Sequence, residues 1–356
     1  MAIIDGEGLF APSFNPIRTD LSVVLMEDRT SLSGVTVTNG GGHGIAASLG
    51  AQVVIRNCEI SGHGDHGIFL SGVTEAIVTG NLLTNNGTKR YEPSLPRGAG
   101  ARQGHHLFAE AKAGQKNRLI IADNTMRACF ADGIAFVCFF PEPDGVVAQA
   151  TILRNTIEES ERGGLLFSAS FGPSQNHLRI EAADNLLRAN KQFGISAIVS
   201  IPLAERVPKD NALHALFTAN TIFNSPIGIM IQGGVGEAAK NVAHITVDRN
   251  RILHSAKNAI RILAGIGTDT GSPADNSITA ALTRNLIEGG SPGVVLQGAA
   301  GTPTSTPQNN SATARIIGNT ISGEQAIVVS NGRPGNRVEI TEGSQLFTRT
   351  ESNLVS

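Results

Sequence analysis

The residues of this 356-residue chain best suited to chemistry are its histidines. Five of the nine lie between His43 and His106, in the segments GGHGIAA, SGHGDHGIFL and QGHHLFA. His43, His66 and His105 hold the same place in three such segments, and Asp132 holds it in a fourth, ADGIAF. Asp65 adjoins His66, and His106 fills a position that is glycine in the neighbouring segments. Imidazoles brought close together repel one another's charge, which favours neutral rings near pH 7. Neighbouring carboxylates favour charged ones. A general base and a general acid working at neutral pH need that mixture. Metal binding is a poorer match. Three imidazoles in single file, one strand spacing apart, would span roughly 9.5 Å, too far for one tetrahedral ion with bonds near 2 Å. No metal and no cofactor is expected.

Such a row exists only if the segments stack, and the repeat that carries them says they do. A short motif with apolar residues around an asparagine recurs as IRNCEI, TGNLLT, ADNTMR, LRNTIE, ADNLLR, TANTIF, DRNRIL, TRNLIE and IGNTIS. Its asparagines are Asn57, Asn81, Asn124, Asn155, Asn185, Asn220, Asn250, Asn285 and Asn319, and Gly34 takes the place in an earlier copy. Each is followed by a small residue and an apolar strand, beginning at Gly44, Gly67, His106, Gly133, Gly164, Gly194, Gly228, Ala259, Gly293 and Ala326. The residues alternate in the strand period, and helical periodicity is nearly absent. A unit of this size cannot bury its apolar face alone, so about ten coils must stack into a solenoid. One asparagine per coil then forms a ladder, because an amide both donates and accepts along the stack.

The composition fits this and excludes other classes. Net charge is −2, 16% of residues are charged and 40% are hydrophobic. A near-neutral chain without a basic stretch lacks the footprint of a nucleic-acid binder, and no apolar run reaches the ~20 residues of a membrane-spanning helix. The start, MAIIDGEG, has no secretory pattern, so a cytoplasmic location is expected for the sequence as given. Cys58, Cys129 and Cys138 read as buried free thiols. Length alone suggests ~2 domains, but the repeat makes one solenoid. Residues 1–30 are expected to form a partial coil or cover, 31–340 the solenoid and 341–356 a cap or tail.

With its asparagine ladder and short strands, the chain resembles the pectate-lyase-like superfamily, and within it bacterial members whose role is unassigned. The resemblance implies an all-β fold, a single-stranded right-handed parallel β-helix. It also implies proton transfer beside a carboxylate, as in lyases and C5-epimerases. His66 or His105 would then be the base, assisted by His43, Asp65 and Asp132, with Tyr91 as acid. Arg97, Arg102 or Arg127 would hold the carboxylate. The row Ala46, Phe69, Phe108, Ala135 and Leu166 is expected to face outward. Together with His106 and the insertion NNGTKRYEPSLPRGAGARQGHH it would line a substrate cleft. His177, His214, His244 and His254 read as scattered, solvated strand residues. The partner is expected to be a saccharide or another small molecule, neither nucleic acid nor membrane, and the oligomeric state is open. Two alternatives stand beside the lyase or epimerase: an intracellular isomerase or cyclase of a small apolar metabolite, and a non-catalytic binding scaffold.

Overall fold

The computed structural model describes residues 2–7, 21–87, 104–139, 144–202, 206–322 and 326–340, and the backbone of Gln345–Arg349. Among these the regular elements are β-strands, in two parallel sheets of 11 and 22 strands. Each central coil gives one strand to the first sheet and two to the second. One coil runs Gly163–Phe171, His177–Ala183 and Leu186–Arg188. Its residues pair in parallel with the next coil, Gly163 with Phe193, His177 with Ala212 and Leu186 with Thr221. The repeat therefore produces the stacked solenoid that its strand period predicts. Alternate residues of the long strands turn inward, so Leu178, Ile180 and Ala182 join one continuous core while His177, Arg179 and Glu181 face out. Cys58, Cys129 and Cys138 are free and buried, and burial pushes the thiols of Cys129 and Cys138 up to about 12.

The corner between the long and short strands depends on two consecutive residues. The first is left-handed: Asp184, Ala219, Arg249 and Arg284 have φ between 53° and 55°. The second is the asparagine, buried and turned inward. Asn185 Nδ2 donates to Asn220 Oδ1 and to the carbonyl of Ile152, each at 2.9 Å, and its backbone N–H donates to the same Oδ1 at 3.0 Å. Equivalent side-chain bonds link Asn81, Asn124, Asn155, Asn185, Asn220, Asn250, Asn285 and Asn319 in series. Asn57 and Gly34 do not belong to the series. Glu59 pairs with Leu82, so Cys58 stands opposite Asn81 and donates its N–H to Asn81 Oδ1. Asn57 and Gly34 occupy the left-handed position instead, with φ of 51° and 67°. Asparagine suits both roles, as a ladder amide and as a residue tolerant of left-handed backbone.

A second stack, at the corner before the long strands, escaped the sequence reading. Asn211, Asn241, Asn276, Asn310 and Asn336 are buried and bonded amide to amide at 2.8–3.0 Å. Asn176 joins them through its N–H to Asn211 Oδ1. Strands near both ends pair in parallel with the coils. Ala2–Asp5 pairs with Val35–Thr38, Ser22–Met26 with His43–Ala47, and Gln345–Arg349 with the long strand Ser311–Ser322.

Replacing Asn185 by Ala strands the N–H of Asn155 and takes one acceptor from its Nδ2, which keeps the carbonyl of Ile121. A loss of roughly 3 kcal/mol is expected in denaturant unfolding. Asn57→Gly, at the left-handed position, should change stability by less than about 1 kcal/mol; equal losses would refute the one-residue offset.

Candidate functional site

The strand register does bring His43, His66, His105 and Asp132 into single file. The backbone N–H of His66 donates to His43 Nδ1 at 3.4 Å, that of His105 to His66 Nδ1 at 3.3 Å, and that of Asp132 to His105 Nδ1 at 3.3 Å. Because Nδ1 accepts in each ring, a neutral ring carries its proton on Nε2. His43 and His66 stack with centroids 5.0 Å apart and planes within 2°, and His105 follows at 5.3 Å. Phe69 and Phe108 lie against them, at 4.7 Å from His43 and 4.9 Å from His66. The five rings form one slab, and all are 0% exposed.

Asp132 closes the row. It too is buried, and Arg162 Nε donates to both its oxygens at 2.9 Å, with a further contact from Nη2. Asp132 Oδ2 is also 3.5 Å from His105 Nδ1. That nitrogen already accepts the Asp132 amide, so the carboxylate's ionic partner is Arg162. Asp65 is buried as well. His106 lies inside the coil, where Asn86 Nδ2 donates to its Nδ1 at 3.2 Å and burial pushes its pKa down to about 3. His63 packs against Gly40 and Gly44, where a side chain would collide with its ring. It accepts from Gly40 N–H at 3.0 Å and donates from Nε2 to Val37 O at 3.1 Å, and burial pushes it down to about 4.

Several expected substrate contacts are thereby corrected. Phe69, Phe108 and Leu166 form a buried second apolar layer with Ala46, Ala135, Phe139 and Phe171, instead of an open face. Aromatic bulk on both sides of this sheet drives them out of water. His106 is an interior residue. Arg127 pairs with Glu158 at 3.1 Å, and Arg188 holds the same carboxylate at 2.7 Å, so Arg127 belongs to an ion-pair stack on the short strands. Tyr91, Arg97 and Arg102 lie outside the described residues.

Among the described residues, an open concave surface lies on the outer face of the long strands. It is a groove of about 1310 Å³ that crosses seven strands, from Arg118–Ala122 to Ser311–Ser322. Pairing puts Arg118, Gln149, Arg179, His214 and His244 in single file along it, with Thr279 and Thr313 beyond. His214 and His244 stack at 5.0 Å. Partial burial, then His244, His177 and Arg179, hold His214 below the ordinary histidine value, so it is neutral at pH 7. Arg118 meets Glu75 at 3.3 Å in an exposed pair, of the kind worth little to stability and easily exchanged for a ligand.

The two groove histidines are neighbours, not scattered residues. The second asparagine stack held the signal, because Arg179, His214 and His244 each stand three residues after Asn176, Asn211 and Asn241.

Residues 22–200 match the family described as the right handed beta helix region. The chain belongs to the right-handed β-helix family. No curated protein matches it. Among solved structures, this β-helix is similar to a double mutant of the periplasmic alginate epimerase AlgG. The identity is 12%, 86% of this chain and 77% of that one are covered, and the TM-score is 0.32.

The buried rings of the β-helix make it acid-sensitive. His63 and His106 titrate near 6.5 when unfolded and near 4 and 3 when folded. The unfolded state therefore binds more protons below pH 6.5. Stability is complete above that value and falls as pH drops toward 4 and then 3. Each tenfold weakening of a ring's proton affinity on folding corresponds to roughly 1.4 kcal/mol of this loss. Melting curves should show the fall, and His106→Gly should flatten it; an unchanged slope would count against the assignment. Arg162→Ala, which strips the partner from buried Asp132, should cost about 3–5 kcal/mol, and adding Asp132→Asn should recover much of it.

Proposed function

We propose that this β-helix is a proton-transfer enzyme of the lyase or epimerase type, acting on a linear acidic saccharide. On this reading the substrate lies in the long-strand groove, and the buried histidine row supports the fold. The observation that carries it is the stacked His214–His244 pair in an open groove, directly after Arg179 in the same file.

The chemistry follows from that order. A carboxylate of the substrate rests on Arg179, whose fixed charge stabilises the enolate formed when the neighbouring carbon loses its proton. His214, kept neutral in the groove, takes that proton. The electron pair then has two outcomes. It returns to carbon with a proton on the opposite face, which inverts the centre, or it forms a C4–C5 double bond and expels the linked sugar oxygen. His244, on the same side as His214, donates a proton to the departing oxygen in the elimination, and in the inversion the proton comes from solvent on the open side of the groove. A deep Phe-lined pocket would favour the apolar-metabolite alternative and a long open groove would not; the long-strand groove has Arg, His, Gln and Thr in its lining.

The test is turnover of polygalacturonate and polymannuronate, read as unsaturated product for elimination and as C5 deuterium uptake in D2O for epimerisation. His214→Ala should lower kcat by about 100-fold or more, and Arg179→Ala should chiefly raise KM. The acid limb of kcat/KM should fall below the ordinary histidine value, because protonating His214 removes the base. Activity lost in His66→Ala but kept in His214→Ala would move the reaction to the buried row. Binding without turnover would leave a scaffold.

A further inference from the structure

The permanent cations lining the groove fall on alternate strands. On the first, third and seventh the groove-lining residues include Arg118, Arg179 and Arg315, with Lys116 just ahead of Arg118 and His177 beside Arg179, while the fifth offers His244. The second, fourth and sixth, Val147–Leu153, Ala212–Thr218 and Ser277–Thr283, offer Gln149, His214 and Thr279. No Lys, Arg, Asp or Glu lies on these three strands. The acids at outer positions of the charged rungs stand outside the groove lining: Glu181, and Asp248, which is held by Arg249 and Arg284.

Resting on the reading above, we propose that the groove selects a saccharide polymer with one carboxylate on every second sugar, an alternating acidic and neutral chain, over a polymer with a carboxylate on every sugar. Adjacent rungs are about 4.8 Å apart, so Arg118 and Arg179, on either side of Gln149 in one file, stand roughly 9.6 Å apart. A sugar linked across its ring advances a chain by close to one rung, so successive sugars lie over successive coils. Acidic units then meet Arg118 and Arg179, and the units between meet the amide of Gln149 or the hydroxyl of Thr279. A carboxylate placed over Gln149 would give up water for a neutral donor alone, and the charge-assisted bond it forgoes is about twice as strong. The reacting unit sits over Arg179, with His214 reaching it from the next coil.

The test is calorimetric titration of the full chain, at low salt, with size-matched hyaluronan (alternating glucuronate and N-acetylglucosamine), polygalacturonate and polymannuronate. Hyaluronan should bind about ten-fold tighter, a difference of ~1.4 kcal/mol. Gln149→Lys puts a cation on a neutral rung at an exposed position and should erase or reverse that preference, while Gln149→Leu should leave its direction unchanged. Equal or tighter binding of either homopolymer by the unmodified protein overturns the alternation. A preference unmoved by Gln149→Lys does the same. If none of the three polymers binds, the acidic-saccharide reading itself fails, a result distinct from binding with the wrong preference.

Discussion

The structure depends on how a buried turn satisfies its polar groups. At each corner of a coil the backbone bends, and its N–H and C=O groups cannot all find partners in a sheet ladder. An inward asparagine solves this by accepting two N–H groups from the coil before, and by donating to the amide of the coil after and to a carbonyl. The geometry repeats from Asn81 to Asn319 at one corner and from Asn211 to Asn336 at another. Since an unmet buried polar group costs more than a made bond returns, these stacks fix the position of each coil against the next. All side-chain files on the surface inherit that registration.

Two histidine files follow, with opposite fates. The first is pressed between strands and phenylalanines, its Nδ1 atoms occupied by backbone amides and its end sealed by Asp132 with Arg162. Buried and stacked, these rings act as packing units. The second, His214 and His244, rests on the outside of a long strand pair next to Arg179, where a substrate can reach it. The same residue type at the same spacing is core in one sheet and groove lining in another.

The groove also shows why insertions separate fold from surface. Coils differ in length because of inserted loops, most of them after the first-sheet strand, yet pairing across the long strands continues without a shift from Arg118 to Thr313. Regular rungs about 4.8 Å apart make a ruler, and along it Arg118 and Arg179 flank Gln149.

By itself the sequence determined the parallel coils, the buried amides and the in-register files, including His43, His66, His105 and Asp132, because these follow from strand period and repeat spacing. It left the first ladder rungs ambiguous, since Asn57 beside Cys58 fits either a ladder or a left-handed turn until pairing with Asn81 and Leu82 decides. Which face of each sheet meets water was not legible. Phe69 and Phe108 alternate with Ile68 and Leu70, so both faces of that strand are apolar, and only packing shows both buried. Nor was the groove, because its residues come from separate coils and become neighbours only when the coils stack. Periodicity along a chain sets which residues share a row, whereas curvature and burial, which depend on all rows together, decide which row is open to a substrate.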